Sequence, residues 1–246
     1  MNYADIKYPD IQDGDGVRVA LYVSGCHFHC KECHNKVAWD FNYGKKFTDE
    51  TIDYIINILK KPFVNGLSLL GGEPLEPINQ EGILPLVKRA KEEFPEKDIW
   101  CWTGYNFDTD ILEKMYEENN TTKELLKYID IMIDGQFEID NKVVDLKFRG
   151  STNQRKIDVQ KSLIEGKMVK LNFGDEARYE KKNPKIMYFE EFNSKKSSNS
   201  ENIKENEMVL ESLNQEKIYE EYDENISKTP INIEQEQEKI AAKGIE

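Results

Sequence analysis

The chain has 246 residues and a mass of 28.8 kDa, with 38% hydrophobic and 33% charged side chains, which suits one large domain or two small ones. A formal net charge of −13, with no Lys/Arg-rich run to offset it, excludes sequence-independent binding to nucleic acid, because phosphate backbones are repelled. No stretch approaches the roughly 18 uninterrupted apolar residues of a membrane span, and the opening "MNYADIKYPD" is unlike a secretory signal, so no membrane partner and a cytoplasmic location are expected.

Apolar runs and helical periodicities alternate along the first part of the chain. "VRVALYV", residues 17–23, predicts a buried strand, and the segment "SGCHFHCKECHN", residues 24–35, follows it directly. "FTDETIDYIINILKK" predicts a helix with Thr48 as N-cap and Ile52, Ile55, Ile56 and Leu59 along one face. "GLSLLGG" is the next strand and "ILPLVKRAKEEF" the next helix. "DIWCWT" then reads as strand, "FDTDILEKMYEEN" as helix and "IDIMID" as strand. Strands alternating with helices imply βαβ units and a parallel sheet. A closed eightfold barrel needs about 250 residues. The packed part is shorter and shows only about five strands, so an incomplete, open-sided barrel is expected.

From about residue 172 the character changes. This segment carries 18 Asp/Glu against 11 Lys/Arg and includes the polar run "NSKKSSNSENIKENE". Its apolar content is too low to offset ordering entropy, so a disordered or partly helical acidic tail over 172–246 is expected, outside a catalytic domain of residues 1–171.

Three of the four cysteines and all three histidines fall within residues 24–35. Cys26, Cys30 and Cys33 have the spacing Cys-x3-Cys-x2-Cys. In a reducing compartment so tight a cluster points to metal binding or catalysis rather than disulfides. Three soft thiolates suit an iron–sulfur cluster or zinc. Structural zinc sites usually pair two ligand knuckles, and the chain has no second one, although His27, His29 or His34 offers a fourth ligand. Cys101, in an apolar strand, reads as a buried structural thiol. Three ligands leave one position open, which is the mark of a catalytic centre.

The cysteine spacing after the first strand of an α/β chain, with "GGEP" (residues 71–74) after the second, resembles the radical S-adenosylmethionine (SAM) superfamily. "DGDGVR", "YVSGC", "CHNK", "DIWCWTGY", "IDIMIDGQF" and "RGSTNQR" narrow the resemblance to its glycyl-radical activases that serve anaerobic ribonucleoside-triphosphate reductases. It covers residues 1 to about 160 and not the acidic tail.

The resemblance implies an incomplete, open-sided (β/α) barrel of the radical SAM type. It implies a [4Fe–4S] cluster on Cys26, Cys30 and Cys33, whose open iron takes the amino and carboxylate groups of SAM. Gly71, Gly72 and Glu73 are then expected along the methionine end of SAM, and Glu32, Cys33 and His34 near its adenine. The implied partners are the large subunit of the reductase and a low-potential electron donor such as flavodoxin. Read from the residues alone, Gly71 and Gly72 allow close approach to a ligand, Glu73 is a hydrogen-bond acceptor for an ammonium group, and Arg149 is either a carboxylate binder or an ion-pair partner. Two alternatives stand beside this reading: an activase of another glycyl radical enzyme such as pyruvate formate-lyase, and a zinc-stabilised interaction module.

Overall fold

The computed structural model describes residues 1–174, so all but the first three residues of the acidic segment lie outside it. Strand β1 (Asn2–Asp10) returns antiparallel as β2 (Arg18–Val23), all six residues of which are buried. After the cysteine segment come a 3-10 turn over Lys36–Trp39 and the two-residue strand β3 (Lys45–Lys46). Helix α1 (Asp49–Leu59) starts at the N-cap read from the sequence, with the Thr48 amide donating to the Thr51 hydroxyl at 3.3 Å. It buries Ile52, Ile55, Ile56 and Leu59, the face that the periodicity marks.

Strand β4 (Gly66–Gly71), helix α2 (Pro77–Glu93) and strand β5 (Asp98–Trp102) follow. A π-helical stretch Phe107–Met115, one turn α3 (Tyr116–Glu118) and helix α4 (Asn120–Leu126) then lead to β6 (Ile131–Asp134). Strand β7 (Arg155–Asp158), helix α5 (Val159–Glu165) and strand β8 (Lys170–Leu171) complete the described chain.

These strands form one open sheet in the order β3-β1-β2-β4-β5-β6-β7-β8. Its centre, β2-β4-β5-β6, is parallel, as the alternation of strands and helices predicts. The flanks are antiparallel, so the sheet is mixed rather than parallel throughout. The flanking strands escape a reading based on apolar runs for a physical reason. β1 interleaves charged and half-buried residues, while β3 and β8 span two residues each and are held mainly by main-chain pairing. Helix α2 also begins six residues earlier than its apolar pattern suggests. Pro77 sits in its first turn, where a missing amide costs nothing, and Pro85 lies inside it.

One face of the sheet packs on the helices. Val19, Leu21, Val23, Leu67, Leu69, Ile99 and Met132 join Ile55, Leu59, Leu86 and Leu125 in the main core, and Cys101 is fully buried there. The opposite face holds a buried polar brace. The Arg18 guanidinium donates to Ser68 Oγ at 2.7 Å and to Asp98 Oδ1 at 2.6 Å, and lies 5.3 Å from the Trp100 ring. Trp100 and Ile133 form a second apolar cluster with Phe173, which is 3% exposed. Among the described residues no helix is long and apolar enough to cross a membrane.

Candidate cofactor site

The parallel register pairs Val23 with Gly71, so β2 and β4 end together and release their loops at one edge. Ligand sites of α/β sheets form at that carboxyl edge. The cysteine segment leaves β2 there and is tied down from several sides. Gly25 N donates to Ala38 O at 2.8 Å, and Cys26 N to Trp39 O at 3.2 Å, so residues 36–39 fold back over the loop base. Gly72 N donates to Val23 O at 2.7 Å, and Glu73 N to Gly25 O at 2.8 Å, which seats the "GGEP" loop against the same backbone. Phe28 packs edge-on to Tyr105 after β5, and Gln136 after β6 donates to Phe28 O at 3.4 Å. The two motifs, some 40 positions apart in sequence, are thus built into one edge.

Cys26 is buried, while Cys30 and Cys33 are half-buried; all three are free thiols. His29 and Glu32, each just before a cysteine, have left-handed backbones with φ of 47° and 58°. Such conformations cost non-glycine residues about 1–3 kcal/mol and gather at functional sites. Here they curl the loop. Burial pushes the Cys26 thiol up to about 12, against the backbone amides of Phe28 and His29, which favour its thiolate. The Asn35 amide donates to Cys33 Sγ at 3.4 Å. Amides directed at thiolate sulfurs are one of the means by which proteins support iron–sulfur clusters, so the donor set and its surroundings fit such a group.

Two of the three histidines have neighbours other than the cysteines. His27 pairs with Glu76 (Nδ1 to Oε1, 2.9 Å) and lies against Phe41, while His29 lies against Trp39. His34 is exposed, as is Glu32. Among the described residues, no three His, Cys, Asp or Glu side chains are grouped to hold a single metal ion, and this includes Cys26, Cys30 and Cys33, which share one loop without converging on one point.

Gly71 and Gly72 turn out to be required by the backbone. Gly71 has φ of 110°, and a Cβ on it would meet Tyr22 and Val23 main-chain atoms at 2.7 Å. A Cβ on Gly72 would stand 2.5 Å from Gly25 O and 2.8 Å from Ala38 O. Gly71 therefore lets the end of β4 lie close against β2, and Gly72 lets the "GGEP" loop lie against the cysteine loop.

Glu73 is 1% exposed. Its Oε1 accepts from Leu75 N and the Thr103 hydroxyl, each at 2.8 Å, and its Oε2 accepts from Gly104 N at 2.8 Å. Burial, opposed by these donors, raises its pKa to about 7. Because the folded pKa lies above the unfolded one, Glu73 favours folding below about pH 4.5 and loses that contribution as pH rises through about 7. Glu73→Gln is expected to flatten the decline in urea-measured stability between these pH values, a slope worth roughly 3 kcal/mol at most. An equal slope in the variant would place the titration elsewhere.

Reasoning from the sequence missed three further residues. Glu76 is buried and holds His27; Thr103 holds Glu73. Asn79 Nδ2 bridges Ser24 O at 3.0 Å and Glu73 O at 2.9 Å. Only their closeness to "GGEP" or to the end of a strand marks them in the sequence. Arg149, read from the sequence as a carboxylate binder or ion-pair partner, lies 3.9 Å from the Phe173 ring.

Residues 12–157 match the family model described as a 4Fe-4S single cluster domain. The anaerobic ribonucleoside-triphosphate reductase-activating proteins of Haemophilus influenzae and of Enterobacteria phage T4 are each 43% identical to the chain, over 156 and 155 residues. These alignments take in 63% of this chain and 96% and 92% of the relatives. The chain belongs to this family of activating proteins. The Escherichia coli K12 member is 42% identical, again over 63% of this chain and 96% of its own length. The family match ends at residue 157, before α5, β8 and the acidic segment.

Proposed function

We propose that this protein activates an anaerobic ribonucleoside-triphosphate reductase, binding its large subunit and installing a glycyl radical in it. In this reading Cys26, Cys30 and Cys33 hold a [4Fe–4S] cluster with one open iron. When bound, the cluster would supply the electron that splits SAM, and the 5′-deoxyadenosyl radical would take hydrogen from a glycine of the reductase. One observation carries the reading: the cysteine loop and "GGEP" share one sheet edge and hydrogen-bond directly, Glu73 N to Gly25 O at 2.8 Å.

The chain's own residues position, rather than transform. Phe28, His29 and Asn35 amides favour the thiolates. Buried Glu73 ties this edge to the loop after β5 through Thr103 and Gly104, and buried Glu76 ties it to His27. Main chain from Glu32 through Cys33 to His34 would flank the adenine. The open sheet is read as an incomplete (β/α) barrel of the radical SAM type, whose open side admits a loop of a macromolecular substrate. The relatives' names favour this reductase over pyruvate formate-lyase as the target. The deciding experiment is anaerobic incubation with SAM, a reductant and the reductase, followed by electron paramagnetic resonance. A glycyl-radical doublet is expected; SAM cleavage without it would exclude this target.

The proposed division places the catalytic unit in residues 1–171 and the acidic tail in 172–246. Because Phe173 packs on Trp100 and Ile133, a chain ending after Gly174 is the proper test. It is expected to fold, hold iron and form 5′-deoxyadenosine like the full chain. Failure to hold iron would move the tail into the catalytic unit.

A further inference from the structure

The cysteine segment, residues 24–35, carries one large apolar side chain, and it belongs to neither apolar cluster of the fold. Phe28 stands midway between Cys26 and Cys30, half-buried against the loop that follows β5. Gly104 in that loop makes room for it. A Cβ on Gly104 would have Phe28 ring atoms as its three nearest neighbours, at 2.7, 2.7 and 3.0 Å. Gly104 does not have a left-handed φ, so the backbone does not ask for glycine there; the ring does.

The notch is held firmly. Gly104 N donates to Glu73 Oε2 at 2.8 Å, Tyr105 N to the Thr103 hydroxyl at 3.1 Å, and Gly135 N to Tyr105 O at 3.1 Å. The Tyr105 ring stands edge-on to Phe28, with centroids 4.8 Å apart. The main-chain tie of Phe28 is slack by comparison, its carbonyl accepting from Gln136 Nε2 at 3.4 Å. Just ahead, His27 N donates to Glu76 Oε1 at 3.1 Å, and just beyond, His29 turns left-handed. The seated ring is therefore the contact that fixes the loop where it leaves Cys26.

We propose that Phe28 is a positioning residue for the cluster, its ring keyed over Gly104 to hold Cys26 in place while Cys30 and Cys33 close around the iron. The proposal rests on the cluster reading above. Because Glu73 holds Gly104, the ring also joins the cysteine loop to "GGEP" a second time, by packing. The Phe28 amide is one of the donors that favour the Cys26 thiolate, so a shift of residue 28 changes how that sulfur is supported.

The test is a double-mutant cycle on the reconstituted full-length chain: Gly104→Ala, Phe28→Ala and the two together. Gly104→Ala should keep iron per chain and thermal midpoint near wild type, because the half-exposed ring can swing aside. Its rate of 5′-deoxyadenosine formation with dithionite is expected to fall about ten- to a hundredfold, as a misplacement of about 1 Å can cause. Its reduction potential, followed by electron paramagnetic resonance, should move negative, since a sulfur that loses an amide donor stabilises the reduced cluster less. With Phe28→Ala already present, Gly104→Ala should change neither quantity. In the cluster-free chain, alkylation of Cys26 read by mass spectrometry should quicken in both single variants, while that of the fully buried Cys101 stays slow. Equal effects of Gly104→Ala with and without Phe28, or an unchanged rate and potential, would overturn the proposal. Lost iron with fast Cys101 alkylation would overturn it too, since the substitution would then act on the whole fold. If the wild type cleaves SAM and the variants match it, positioning fails and the activation reading stands. If the wild type holds no iron, the activation reading fails and takes this proposal with it.

Discussion

Serine in place of Cys26, Cys30 or Cys33 is expected to reduce both iron content and 5′-deoxyadenosine formation to background after anaerobic reconstitution. The loop offers these three thiolates as its soft ligands, and its His27 and His29 already have neighbours in Glu76, Phe41 and Trp39. A hydroxyl in the buried Cys26 position would also remain protonated, its desolvation being no smaller than that which holds the thiol up to about 12. Cys101→Ser makes the contrast. Cys101 is fully buried on the helix side of β5, with its pKa raised by burial and by the charge of Glu73. That variant should keep near wild-type iron per chain, with some loss of stability from a hydroxyl in an apolar core. Iron analysis and absorption spectra of the four variants decide the matter: iron lost on changing Cys101 would refute a three-cysteine centre.

Gly72→Val should have the second largest effect, and a different one from that expected of a ligand-facing glycine. If Gly72 served only to admit SAM, valine would weaken SAM binding and leave the cluster in place. The Cβ instead meets two main-chain carbonyls, Gly25 O at 2.5 Å and Ala38 O at 2.8 Å. Neither can rotate aside, because Gly25 O accepts Glu73 N and Ala38 O accepts Gly25 N. Relief requires the cysteine loop to lift off the end of β4. Iron content should therefore fall together with SAM binding, and unfolding stability should drop by about 1–3 kcal/mol or more from overpacking. Full iron with selectively weakened SAM binding would restore the ligand-approach reading.

Both predictions depend on what proximity adds to motif. The sequence by itself determined the elements whose physics is local. Val17 to Val23 reads as a strand because its side chains are nearly all apolar, and α1 is legible in Thr48 and in the spacing of Ile52, Ile55, Ile56 and Leu59. The chemistry of the cysteine loop is equally local, since all three thiols lie within eight residues. The parallel centre of the sheet follows from the alternation of strands and helices.

Only the tertiary structure decided the rest. The antiparallel flanks are held mainly by main-chain pairing, which leaves little trace in side-chain pattern, and α2 starts through a proline that reads as a breaker. The role of Gly72 depends on carbonyls 47 and 34 positions away, and that of Glu73 on donors at Thr103 and Gly104 after a different strand. Asn79 likewise matters because a helix following β4 reaches back to Ser24 at the end of β2. A spacing rule cannot register such contacts. They exist because parallel strands end at one edge, where loops remote in sequence must satisfy one another's buried polar groups.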